Sequence, residues 1–192
     1  LKSNLKKEEL ESLNELLNVK SQALADLVIT DELTGIANRA ALKSLFEDEQ
    51  RFDKTQDNIA VMFVDIDHFK SINDTHGHLV GDEVLVAFAK LLEENIRNSD
   101  LLARWGGEEF VILLCWPQNY TPIGPEELLA EFERIRLAVC NKPLVMDKLT
   151  IPITVSIGIS QPLDAKELTL EWHSALEHAD KALYQAKGFG RN

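Results

Sequence analysis

Cysteine is nearly absent from this chain: Cys115 and Cys140 are the only 2 among 192 residues, each inside an apolar segment. Their scarcity excludes a disulfide framework and a paired-cysteine zinc site, and it fits a reducing cytoplasm. Positive charge is also scarce. Lys and Arg number 20 against 32 Asp and Glu, a formal balance of -12, which repels a polyphosphate backbone and argues against a nucleic-acid partner. No uninterrupted apolar run reaches the ~20 residues of a membrane-spanning helix. The Lys-rich opening is followed by no signal-peptide core, and the sequence holds no internal repeat or low-complexity stretch. With 45% hydrophobic and 27% charged residues the composition is that of an ordinary globular domain. The length suffices for one core and an appended helix.

Residues 1–29 read as that helix. Leu10, Leu13, Leu17, Leu24 and Leu27 follow a seven-residue repeat interrupted at Lys20, a coiled-coil seam too narrow to bury itself without a partner. Self-pairing of two chains is expected. The sequence is already in helical rhythm at Leu1, so an upstream domain, which a membrane could hold, is expected to precede it. The second unit, 30–192, mixes strands and helices without strict alternation. The pattern predicts a helix over 39–56 and a strand over 59–64 buried on both faces. A loop punctuated by Gly77 and Gly81 follows, then a helix opened by Asp82 and running to about Arg97. Strands 101–104 and 110–115 form a hairpin, 116–125 a loop, 126–139 a helix, 150–160 a strand and 170–187 a last helix. The fold class is α+β, a mixed or mostly antiparallel sheet with helices packed on it, and not a doubly wound nucleotide fold.

The chemistry concentrates at the hairpin tip, Arg104, Trp105, Gly106, Gly107, Glu108, Glu109, Phe110. Paired glycines let a ligand approach bare backbone, and the acids that follow stand beside an otherwise apolar strand. If the hairpin pairs beside strand 59–64, Asp65 comes close to Glu108. Two carboxylates ~4 Å apart repel by about 4 kcal/mol at intermediate dielectric, a cost that a divalent ion removes. All the donors are oxygens, which selects a hard ion such as magnesium, or manganese in its place, holding a substrate's phosphates. Phosphoryl or nucleotidyl transfer is the reaction class. Glu108 and Glu109 face opposite ways on a regular strand, so one serves the metal and the other the reacting hydroxyl, in an order the residues leave open. After Asp65, backbone amides and Lys70 offer phosphate donors. Asn73 and Asp82 match a purine edge, and serve equally as turn former and helix cap. His76 and His78 lack a third nitrogen or sulfur ligand and read as loop residues.

These residues resemble the GGDEF domains of bacterial diguanylate cyclases, which join two GTP molecules into cyclic di-GMP and release pyrophosphate. The likeness rests on residues 106–110 (GGEEF), 65–74 (DIDHFKSIND), 77–82 (GHLVGD), 31–39 (DELTGIANR) and 180–192 (DKALYQAKGFGRN), in family order from about residue 30 onward. The resemblance implies a palm-like sheet shared with nucleotidyl cyclases. It implies that Asp65, Glu108 and the Ile66 carbonyl hold magnesium, that Asn73 and Asp82 hold guanine, and that Glu109 is catalytic, near the metals or the attacking 3′-hydroxyl. Lys70, counted also with the catalytic set, contacts the phosphates together with Lys181 and the amides of His68 and Phe69. Gln185 stands where many members carry a second basic phosphate contact. Arg97 and Asp100 (RNSD), with five residues between Asp100 and Gly106, match the spacing of the family's inhibitory product site. A homodimer, an upstream sensor domain and a cytoplasmic location for this part of the chain complete the expectation.

Overall fold

The computed structural model describes residues 29–47, 57–117, 124–146 and 149–192, with the isolated helical positions Asn14 and Lys20. The coiled coil expected over 1–29 and the second half of the helix expected over 39–56 otherwise lie outside the described residues. Strand β1 (Ala37–Asn38) leads into helix α1 (Arg39–Glu47), strand β2 (Asp57–Ile66), and helices α2 (Phe69–His76) and α3 (His78–Glu93). The hairpin β3 (Leu101–Gly106) and β4 (Glu109–Pro117) follows, then α4 (Pro125–Cys140) and the short pair β5 (Leu144–Met146) and β6 (Leu149–Ile151). Strands β7 (Val155–Ile159) and β8 (Leu163–Asp164) precede α5 (Ala165–Gly188). The main sheet runs β1-β3-β4-β2-β7, with β8 also on β2, and every pairing is antiparallel except β1 with β3. The chain forms the α+β fold with a mixed, mostly antiparallel sheet flanked by helices.

The apolar run of β2 explains its central place. Ile59 to Val64 are all at most 3% exposed, because alternate side chains enter different cores. Ala60, Met62, Val64 and Ile66 join Phe88 of α3 and Phe110 on one face. Ile59, Val61 and Phe63 join Phe46 of α1 and Trp172 and Leu183 of α5 on the other. Each such large side chain contributes about 1.5–3 kcal/mol of burial. Gly158 lets α5 lie directly on β7: a Cβ there would stand 2.1 Å from the Ala179 carbonyl oxygen. Parity along β2 and β4 then brings Asp65 and Glu109 out on the α5 side, at the end of the sheet.

Four expectations about elements need correction. The segment expected as a loop after β2 contains α2, whose polar run of Lys70, Ser71, Asn73, Asp74 and Thr75 reads as turn sequence but is anchored by buried Phe69. Helix α3 opens at His78, so Asp82 lies within it, and it ends at Glu93, short of Arg97. The strand expected over 150–160 divides at Pro152, β6 pairing with β5 and β7 with β2. Helix α5 begins at Ala165 and carries a non-helical Glu171 (φ -119°, ψ 16°).

Candidate active site

Asp65, one residue before the end of β2, lies directly opposite Glu109 of β4, and the Ile66 amide donates to the Glu108 carbonyl at 3.4 Å. The pairing therefore collects Asp65, Glu108 and Glu109 at one sheet end. Lys187, in the last turn of α5, reaches Asp65 Oδ2 at 2.8 Å. Burial pushes the Asp65 carboxyl above its ordinary range; the Lys187 hydrogen bond and charge oppose this, while Glu108 and Asp67 add to it. Glu109 is also pushed upward, by burial first and Asp65 next, with Lys187 opposing and Asp180 and Glu108 adding. The acids thus repel one another around a single ammonium group, an arrangement that favours an added cation.

Among the described residues no group of three or more ligating His, Cys, Asp or Glu side chains converges. The donor set instead comprises acid side chains and backbone oxygen, which fits an oxygen-loving divalent ion that completes its shell with phosphate and water.

The backbone turns sharply after the acids. His68 is exposed and left-handed (φ 57°, ψ 25°), and its carbonyl accepts the Ser71 amide at 2.8 Å. Phe69 and Lys70 therefore open α2 ahead of its first intrahelical bond, a favourable setting for an anion. Lys70 is exposed. At the α2–α3 corner, half-buried Asn73 lies against Gly81, where a Cβ would stand 1.9 Å from Asn73 Oδ1. Exposed Asp82 is the next residue along α3. Arg104 braces the hairpin from behind, donating to the Gly107 carbonyl at 3.0 Å and to both oxygens of Asp31 at 3.0 and 3.2 Å.

Lys181 is exposed on α5 and pairs with Glu177 one turn earlier at 2.6 Å. Beside the acids stand Lys187 and Arg191, the latter with its Nε 3.9 Å from Asp67. Sequence reading missed both. The signal was present in the quoted block 180–192, but helical phase relative to the sheet was needed to choose among its basic residues.

Arg97 and Asp100 occupy a different region. The Arg97 amide donates to Asp100 Oδ2 at 2.9 Å, and Asp100 Oδ1 accepts the Cys115 amide at 3.0 Å. The Arg97 guanidinium meets buried Glu131 of α4 at 2.6 Å and lies 5.7 Å from the Trp116 ring centroid. A cavity of about 640 Å³ between α4 and β7 is lined by Leu128, Phe132, Ile159 and Pro162, and no ionisable side chain lines it among the described residues.

Comparison with known proteins decides the family. The profile described as "Diguanylate cyclase, GGDEF domain" matches residues 28–192. The chain belongs to the GGDEF domain family. It is 41% identical over 165 residues to diguanylate cyclase DgcP of Pseudomonas aeruginosa, covering 85% of this chain and 23% of that protein. It is 37% identical over 174 residues to the response regulator PleD of Caulobacter vibrioides, covering 87% and 36% respectively. The solved coiled coil and GGDEF domain of DgcB from Caulobacter crescentus, in complex with c-di-GMP, aligns at a TM-score of 0.69 and 28% identity, over 97% of this chain and 96% of that one. This GGDEF chain thus spans about a quarter to a third of the curated relatives it matches. No helix among its described residues is long and apolar enough to cross a membrane.

Proposed function

We propose that this GGDEF domain condenses two GTP molecules into cyclic di-GMP with release of two pyrophosphates, in bacterial second-messenger signalling. The observation that carries this reading is Asp65 in register with Glu109, with Glu108 in the adjoining turn and Lys187 at 2.8 Å from Asp65. Asp65, Glu108 and the Ile66 carbonyl hold magnesium, or manganese in its place; when bound, the ion neutralises charge on the α-phosphate and acidifies the attacking hydroxyl.

The chain's own groups perform the remaining work. Lys70, Lys181 and the amides of His68 and Phe69 grip the triphosphate, joined by Lys187 and Arg191 as they exchange a carboxylate for phosphate. Asn73 and Asp82 hold the guanine edge. Glu109, whose proton affinity is raised by burial and by Asp65, accepts the 3′-hydroxyl proton. Each 3′-oxygen bonds to the α-phosphorus of the other nucleotide as the bond to its pyrophosphate breaks.

The product has two equivalent halves, so two chains facing each other complete the site. The leucine seam of residues 1–29 brings them together, a reading supported by the coiled coil of the DgcB structure. An upstream sensor fits the greater length of the curated relatives, and GTP as substrate fits a cytoplasmic location.

Product feedback belongs to Arg97 and Asp100. Arg97 is 48% exposed and can exchange Glu131 for a guanine edge or phosphate. The test is chromatography of the products of purified chain with GTP and magnesium. Wild type should yield cyclic di-GMP and pyrophosphate, Glu108→Ala and Asp65→Ala neither, and Arg97→Ala should escape inhibition by added product. Folded wild type without turnover, or with a monomeric 3′,5′-cyclic nucleotide as its product, refutes the reading.

A further inference from the structure

In the mechanism above Asp67 only releases Arg191 to phosphate, yet it is a carboxylate whose side chain is 1% exposed. It follows the last residue of β2, and the strand period puts it on the same side as Asp65. Across the ladder, Asp65 faces Ser156 and Ile66 faces Val155, so Asp67 meets Thr154. All of its short bonds run to that neighbouring segment. Its amide donates to the Thr154 carbonyl at 2.9 Å, the Thr154 hydroxyl donates to Oδ2 at 2.7 Å, and the Ser156 hydroxyl donates to Oδ1 at 2.6 Å. Arg191 stands further off, its Nε 3.9 Å from Oδ1.

The two short hydroxyl bonds are charge-assisted and tie this buried carboxylate firmly to the neighbouring segment. Its position gives that tie a use. Directly before it lie Asp65 and the Ile66 carbonyl; directly after it His68 takes the left-handed conformation (φ 57°) that opens α2. A residue with a Cβ persists there only if its surroundings over-determine it.

We propose that Asp67 is a positioning residue, tied by Thr154 and Ser156 so that it sets Asp65 on one side and the phosphate-facing turn at His68 on the other. Its negative charge also adds to the field that draws a cation to Asp65. The inference rests on the nucleotidyl-transfer reading of the same site.

Thr154 permits a clean experiment because Val matches its shape without the hydroxyl, whereas Ser keeps the hydroxyl without the methyl. Binding of a non-hydrolysable GTP analogue with manganese is measured by calorimetry for wild type, Thr154→Val, Thr154→Ser and Asp67→Asn, alongside urea midpoints and the kcat and KM for GTP. We expect about tenfold weaker analogue binding for Thr154→Val and near wild-type binding for Thr154→Ser. Asp67→Asn should lose about 100-fold in kcat/KM. The inference is overturned if Thr154→Val and Thr154→Ser bind alike. It is equally overturned if folded Asp67→Asn keeps wild-type binding and kcat/KM while losing only stability. Should Asp67→Asn fail to fold, the Thr154 pair decides. Wild type that binds the analogue but forms no cyclic di-GMP sinks the cyclase reading alone, since the binding comparison still tests this one.

Discussion

Gly81→Ala should separate stability from substrate recognition. Gly81 is buried inside α3, and Asn73 Oδ1 lies 1.9 Å from where its Cβ would be, with Cγ at 3.0 Å. The oxygen must retreat by more than ~1 Å, which breaks a hydrogen bond of ordinary 2.7–3.2 Å length. Helix stability moves the other way, since Ala in a helix interior is favoured over Gly by about 1 kcal/mol. Losing one bond to guanine costs about 0.5–1.5 kcal/mol, or ~1–3 kcal/mol where the partner is left buried and unpaired. With ~1.4 kcal/mol per tenfold, KM for GTP should rise about tenfold. The urea midpoint should stay level or rise. The assay is steady-state turnover at varied GTP, paired with urea unfolding monitored by tryptophan fluorescence. An unchanged KM would refute the placement of guanine at Asn73. A fall in stability parallel to the loss of binding would refute the claim that only a side-chain end is displaced.

Gly158→Ala should act differently, because the new Cβ would meet fixed backbone, 2.1 Å from the Ala179 oxygen and 2.2 Å from the Leu183 nitrogen. We expect a loss of about 1–3 kcal/mol by urea unfolding, with reduced GTP turnover as α5 carries Lys187 away from Asp65. Asp31→Asn tests the brace behind the hairpin through pH. Burial raises the Asp31 pKa, but the Thr34 bonds and the Arg104 bond and charge outweigh it, so the folded value lies below the ordinary 3.8. Its stabilising contribution is then full above the unfolded pKa and lost as pH falls through the folded one. Unfolding midpoints of wild type and Asp31→Asn should differ at pH 7 and converge below about pH 4; a constant difference across that range would argue against the ion pair. Asp65 and Glu109, raised by burial, carry the opposite sign: their ionised forms cost stability at neutral pH, and magnesium should raise the melting temperature of wild type more than that of Asp65→Asn.

Much of this molecule is written in its residue order. The unbroken apolar stretch of β2 announces a strand covered on both faces, and the glycine pair followed by Glu108 and Glu109 announces an acidic hairpin tip, because both signals are local. So are the motif blocks that mark the family. Tertiary structure decided the rest. It turned a polar run after Asp65 into α2 by burying Phe69, and it placed Asp82 within α3 and not at its start. It also brought Lys187 against Asp65. Lys181 and Lys187, six residues apart on α5, point ~120° apart around the helix, and the seat of that helix on Gly158 brings Lys187 to the acids. Asp67 makes the same point, since only the ladder sets it against Thr154 and Ser156. Sequence spacing determines which side chains share an element, whereas packing distances between elements determine which of them can meet.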